Sequence, residues 1–300
     1  MGYSITSNYA GEHAGQYIAA ALNSAKSLEY LTVLENVKYK RNITKVANSG
    51  MIVDATCDFT DAGTLTLTER VLNPKELQIN VDLCKKDLLA DWQAAQMSAG
   101  AHNRDMSGDF AAFVISHLSD TIADHVETNI WDGNGANPGQ FDGMNLNFNG
   151  DAPTESDNSG GAGTAYTSSN IDENLGIISA AIPAAVWGKE DLYIYLGTAA
   201  YRLYIENQAN AGFQNLYSMN DQFTPMYNGI KLAVCPGIPA DQMHAAQKSN
   251  LFFGTDLVSD TTEIRMLDMS ALDGSDNVRV VAKFTGGTQH AQAGDIVRMN

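Results

Sequence analysis

Between residues 53 and 68, apolar and polar side chains alternate with a period of two. Val53, Ala55, Cys57 and Phe59 interleave with Asp54, Thr56 and Asp58, and after Thr60-Asp61-Ala62-Gly63 the alternation resumes as Thr64-Leu65-Thr66-Leu67-Thr68. Alternation on both sides of an Asp/Gly turn predicts a β-hairpin. Arms of about eight residues reach roughly 27 Å at about 3.3 Å per residue. A two-stranded ribbon of that length is marginally stable alone in water. It has to lie on something, in its own chain or in a neighbour's. A third alternating strand follows at Leu77, Ile79, Val81 and Leu83. The spacing of Leu88, Leu89, Trp92 and Gln96 then predicts a helix over residues 85–97.

The strongest helical pattern runs over residues 108–131. Phe110, Val114, Leu118, Ile122, Val126 and Ile130 recur every fourth residue, and Phe113 and Ile115 widen them into a stripe. Ser107 suits an N-cap, and Asp109 suits the positive end of the helix dipole. Ser116, Asp120, Thr121, Asp124, Glu127 and Thr128 occupy the opposite face. At 1.5 Å per residue such a helix extends about 36 Å, the length of a spine rather than of a small packing element.

Residues 132–166 are rich in Gly, Asn, Asp, Ser and Pro and read as one long loop or linker, which points to a domain boundary or an interface. Beyond it the pattern predicts a helix over 170–182 ended by Pro183, a buried strand over 192–196 and a helix over 198–208. Strands follow at 230–235, stopped by Pro236-Gly237, then at 250–254, 263–267 and 278–284. A Gly286-Gly287 turn and a last strand at 295–299 close the chain. The first 36 residues lack a broad apolar face and read as an arm that orders against something else. The order of elements is mixed α+β, without the repeated strand-helix unit of a doubly wound fold or a barrel.

Charge narrows the function classes. Acidic residues outnumber basic ones 35 to 18, for a net charge of −17. Residues 101–200 hold only Arg104 and Lys189 against fourteen acids and supply −12 of that total. An electrostatic grip on nucleic acid needs clustered Lys and Arg, so that class is excluded. An acidic surface of this kind does not adhere to a polyanion held nearby. Cys57, Cys84 and Cys235 are too few and too scattered for a disulfide framework or a zinc knuckle. The first fifteen residues carry no secretory pattern, and there is no apolar run of membrane-spanning length.

The catalytic readings fail on their details. His117, Asp120, Asp124 and His125 lie on the spine helix, but only His117 can share a face with Asp120 or Asp124, and no third strong ligand joins them. The segment Asp132-Gly133-Asn134-Gly135-Ala136-Asn137 opens like a calcium loop, yet Ala136 and Asn137 replace the fifth ligand and the turn glycine. Ser159-Gly160-Gly161-Ala162-Gly163-Thr164 is glycine-rich without the phosphate-binding lysine. Cys235 with His244 is the one Cys/His pair, and Cys235 ends an apolar strand as a structural thiol does. Tyr193, Tyr195, Tyr201 and Tyr204 read as core. No catalytic, cofactor or metal residue is assigned.

In its order of elements the chain resembles the major capsid proteins of tailed bacteriophages, whose fold is shared with herpesvirus shells and encapsulins. The resemblance spans nearly the whole chain. It implies an N-terminal arm at residues 1–40 and an extended hairpin loop at 41–81. It further implies a peripheral domain with the spine helix at 82–166, an axial domain at 167–260, and return strands with the C-terminus at 261–300. The phrase Asn250-Leu251-Phe252-Phe253-Gly254-Thr255-Asp256 is similar to ones found in the axial domain. Subunit contacts are then expected at Val53, Ala55, Cys57, Phe59, Thr64, Leu65, Thr66 and Leu67, and spine packing at Phe110, Val114, Leu118, Ile122, Val126 and Ile130. The implied role is a self-assembling subunit of hexamers and pentamers in a shell around double-stranded DNA, without sequence-specific binding or membrane contact. Its partners would be further copies, a portal and a separate scaffolding protein. Its place would be the host cytoplasm during assembly and the virion afterwards. An encapsulin-like compartment shell, and a cytoplasmic hydrolase or small-molecule binding protein, stand as the alternatives.

Overall fold

The structure, a computed structural model, describes residues 25–55, 57, 63–84, 108–151, 153–212, 225–256, 263–269, 274–275 and 277–300. The predicted helix over 85–97 and the cap at Ser107 lie outside them. In chain order the elements begin with β1 (Thr32–Leu34), β2 (Arg41–Ser49), β3 (Thr64–Leu72) and β4 (Lys75–Cys84). Then come α1 (Gly108–Asp132), α2 (Met144–Asp151), β5 (Thr154–Ser156), α3 (Ile171–Ala181), β6 (Leu192–Leu196) and α4 (Thr198–Asn210). The chain ends with β7 (Met226–Tyr227), β8 (Ile230–Val234), β9 (Met243–Gln247), β10 (Leu251–Gly254), β11 (Glu263–Asp268), β12 (Asn277–His290) and β13 (Val297–Met299). The α+β class and the spine helix are as the periodicity predicts.

One sheet is organised by β12, a strand long enough to serve two neighbours at once. Its first half lies between β4 and β11, and its last four residues pair with β10, which in turn pairs with β1. Val278, Val280, Ala282 and Phe284 alternate inward opposite Leu83, Val81, Ile79 and Leu77, as period two demands. This apolar face packs on α1, whose Ile115, Ile122, Val126 and Ile130 are almost completely buried. Leu118 is half-buried beside them. Phe110 and Val114 lie on α1, and their side chains are outside the described residues.

The second sheet has the order β5-β13-β9-β6-β8-β7. β6 reads Leu-Tyr-Ile-Tyr-Leu because both of its faces are covered. Leu192, Ile194 and Leu196 join α3 and α4 in one core, while Tyr193 and Tyr195 point to the other core, beside Trp131 at the end of α1. Among the described residues no helix is long and apolar enough to cross a membrane.

Five expectations need correction. The hairpin pairs Arg41–Ser49 with Thr64–Leu72, not residues 53–59 with 64–71, and residues 51–55 carry no strand. The apolar alternation at 53–55 belongs to the connection, and the polar-looking β2 supplies the arm. Residues 132–166 are not one loop: α2 forms there because Met144 and Phe148 are fully buried, although its asparagines favour no helix in isolation. Gly286-Gly287 is no turn, since β12 passes straight through it. Those glycines are needed because a Cβ would meet the Phe141 ring at Gly286 and the Pro74 backbone at Gly287. Residues 25–34 do not wait for a partner, because Ser27 and Leu31 are buried in the chain's own core and β1 pairs with β10. Finally, β10 belongs to the first sheet and β13 to the second, so the boundary at residue 260 does not follow the sheets.

Candidate assembly surfaces

Among the described residues the β2–β3 ribbon is a sheet of two strands that pairs with no other strand. Its register places Val46 opposite Leu67 and Asn48 opposite Leu65, so Val46, Leu65 and Leu67 share one face with Thr44 and Glu69. Thr64, Thr66 and Thr68 stand on the other face with Lys45 and Arg70. Val46, Leu65 and Leu67 are each more than half exposed. Three adjacent apolar side chains on an uncovered ribbon are an unsatisfied surface, unlike a single exposed leucine. The connection adds Met51, Ile52 and Val53, with Ile52 97% exposed. Of the expected contact residues, Thr64, Leu65, Thr66 and Leu67 sit on the ribbon. Val53, Ala55 and Cys57 are exposed in the connection, and Phe59 lies outside the described residues.

At its base the ribbon is anchored. Leu72 is fully buried, filling the space over Gly254 where a Cβ would otherwise stand. Arg70 pairs with Asp151 at the end of α2. His290 Nε2 lies 3.3 Å from the same carboxylate, outside hydrogen-bond alignment. Burial first, and Arg70 second, hold the His290 imidazole down to about 4. A firmly held base and a bare distal half make the ribbon a projecting lever.

Sequence reasoning missed the junction behind it. Glu127, assigned to the polar face of α1, is buried, and its carboxylate accepts hydrogen bonds from Ser27 N (3.0 Å), Ser27 Oγ (2.5 Å) and Gly237 N (3.2 Å). Trp131 Nε1 donates to Ser27 Oγ at 2.7 Å. One side chain thus ties the N-terminal segment, the spine helix and the β8–β9 connection together. The signal available was a carboxylate one turn before a tryptophan, which no local pattern distinguishes from a solvated face.

The rejected chemistry meets specific surroundings. The loop that opens like a calcium site holds an internal cation instead: Lys75 Nζ donates to Gly135 O (2.7 Å) and Asn137 O (3.3 Å), and Asp142 Oδ1 accepts from Gly135 N (2.9 Å). His125 Nδ1 lies 2.6 Å from Asn129 Nδ2, within its own helix. Burial pushes the Cys235 thiol well above its ordinary range, which disfavours the nucleophilic thiolate. His244 is fully buried, stacked 5.6 Å from Trp131. Among the described residues no three His, Cys, Asp or Glu side chains gather as a metal site would need.

No protein-family model and no curated protein matches the chain. Solved structures do. A capsid chain of an empty GTA particle aligns over 100% of this chain and 94% of its own, at 12% identity and a TM-score of 0.58. A chain of the satellite phage P4 procapsid aligns over 95% of this chain and 98% of its own, at 12% identity and 0.59. The capsid of Myoviridae phage XM1 aligns over 99% and 94%, at 10% identity and 0.56. This is the tailed-phage capsid fold. Identity of 10–13% across matches of this length means that the capsid fold is retained here by burial pattern and register, with few residues in common.

Proposed function

We propose that the chain is the structural subunit of an icosahedral phage-type shell, forming hexamers and pentamers around double-stranded DNA and serving in the virion. The observation that carries this reading is the ribbon: a rigidly based projection whose apolar distal face, Val46, Leu65 and Leu67, has no cover among the described residues. Covering that face on a neighbouring copy removes apolar area from water at roughly 25 cal/mol per Å² before the costs of association. Residues 1–40, 41–81, 82–166, 167–260 and 261–300 would then act as arm, extended loop, peripheral domain, axial domain and returning strands, with β10 and β13 exchanged between the last units. The role is structural, without catalysis, cofactor or metal. Further copies are the main partners, with a portal and a separately supplied scaffolding protein. The acidic surface suits a wall against which DNA lies without sticking. The three solved structures described above are capsids of a GTA particle and of phages, which supports the capsid reading over an encapsulin-like compartment.

The test replaces residues 46–67 by an Asn-Gly turn, which joins the paired Lys45 and Thr68 with the geometry that short hairpins prefer. Purified parent and truncated chains are compared by electron microscopy and light scattering, with and without added scaffold. The parent should form shells, tubes or capsomers, and the truncated chain should fold but close no shell. Normal shells from the truncated chain would sink the reading.

A further inference from the structure

The second sheet carries a loop after its β5 edge, and a groove lies towards its β7–β8 edge. The loop is the glycine-rich stretch after β5. Gly161 N donates to Asn158 O at 2.7 Å and Thr164 N to Gly161 O at 3.1 Å. From beneath, Asn158 Nδ2 holds Thr164 O at 2.8 Å, and Asn174 Oδ1 accepts from Ser159 N at 2.8 Å. Gly161 and Gly163 sit at φ +96° and +75°, where only glycine is unstrained, and a Cβ on either would meet nothing within 4 Å. The result is a narrow, braced crest of exposed small residues whose one charge is Asp157.

The groove lies between α3 and the β7–β8 turn. Gly176, Ala180, Ala184 and Trp187 line a space of about 490 Å³, and Trp187 is 46% exposed. Beside it, across Gly188 and Gly229, a second recess holds Lys189, Glu190 and Lys231. Lys189 Nζ touches only the neutral Gln247 Oε1 (3.2 Å), and Lys231 lies over the Tyr193 ring (5.8 Å). Among the described residues neither has a carboxylate partner. Against Glu190, the two lysines leave the recess one positive charge in excess, in a chain of net charge −17 that has no Lys or Arg between residues 105 and 188.

The register keeps crest and groove apart. β5 is one edge of the sheet, and its last residue, Ser156, pairs with Met299, which pairs with Met243 at the start of β9. Lys231 and Lys189 lie at the other end, where Leu192 meets Gln247, towards the β8–β7 edge. Within one chain the crest and the two lysines lie at opposite ends of the sheet, whereas two copies can bring them together head to tail, and such contacts close a ring when the rotation allows.

We propose that the crest at residues 157–163 of one copy enters the Trp187 groove of the next, with Asp157 set between Lys189 and Lys231. A crest of small residues fits a groove lined by Gly176 and Ala180, and the preorganised turns lose little freedom on docking. The proposal rests on the shell reading and names the contact that joins neighbours within one capsomer.

The test places Ala162→Cys and Ala184→Cys together in a full-length Cys57→Ser background and treats the assembled protein with a short bis-maleimide. A ladder of covalent multimers is expected from the pair and none from either single substitution. Lys189→Glu with Lys231→Glu should abolish the ladder, and adding Asp157→Lys should restore it. Shells or capsomers that form without a ladder overturn this contact and leave the shell reading standing. A ladder indifferent to the charge reversals also overturns it. A parent chain that stays monomeric by light scattering, with no ladder, overturns both.

Discussion

His244 and His290 are fully buried imidazoles. They flank Phe148, each with ring centroids 5.4 Å away, and Trp131 stacks on the far side of His244, so a row of rings joins the two sheets through α2. Among the described residues neither ring nitrogen of His244 has a hydrogen-bond partner, and burial, then Arg298, hold its imidazole down to about 3. An unfolded histidine takes up its proton near 6.5. Between that value and the folded one the unfolded chain binds more protons, so this stability is present above about pH 6.5 and is lost as pH falls. The slope is up to ~1.4 kcal/mol per pH unit for each histidine. His244→Phe keeps the ring stack and removes one titration. Its denaturant midpoint relative to the parent should therefore rise steadily from pH 6.5 to 4.5. A constant difference across that range would show that His244 is not held neutral in the fold.

Among the elements, the ribbon shows how one hairpin divides into a structural and a functional half. Leu72 and Leu67 stand five residues apart on β3, one fully buried over Gly254 and the other 60% exposed. Leu72→Ala should cost about 2–5 kcal/mol, the range for opening a cavity at a buried leucine. Leu67→Ala should stay within about 0.5 kcal/mol, as surface changes do. Urea unfolding of the isolated subunit measures both. Equal losses would mean that the distal ribbon is already covered within its own chain, and its role as a lever would fall.

For the whole molecule the governing quantity is charge. Six of the eighteen basic residues, Lys38, Lys40, Arg41, Lys45, Arg70 and Lys75, lie on or beside the ribbon, while the α1–α3 stretch is acidic throughout. With a net charge of −17 and no basic stripe along the second sheet, the subunit should leave the mobility of double-stranded DNA unchanged at physiological salt. A retarded band in a gel-shift assay would contradict a wall that lets DNA slide.

The stripe Leu118, Ile122, Val126 and Ile130 made the spine helix legible, and Leu-Tyr-Ile-Tyr-Leu made a strand covered on both faces legible. In both, the local period and the burial agree. That a hairpin projects here was also legible, but not which residues form its first arm. β2 is Arg-Asn-Ile-Thr-Lys-Val-Ala-Asn-Ser, and with both faces bare it has no apolar side to betray it. The last three surprises, α2, the passage of β12 through Gly286-Gly287, and Glu127 on Ser27 and Gly237, depend on partners a hundred or more residues away in the chain. Phe148 meets His290, Gly286 meets Phe141, and Glu127 meets Ser27. Periodicity reports which face of an element is apolar, whereas what covers that face, and which polar groups are trapped beneath it, is decided only when distant segments meet.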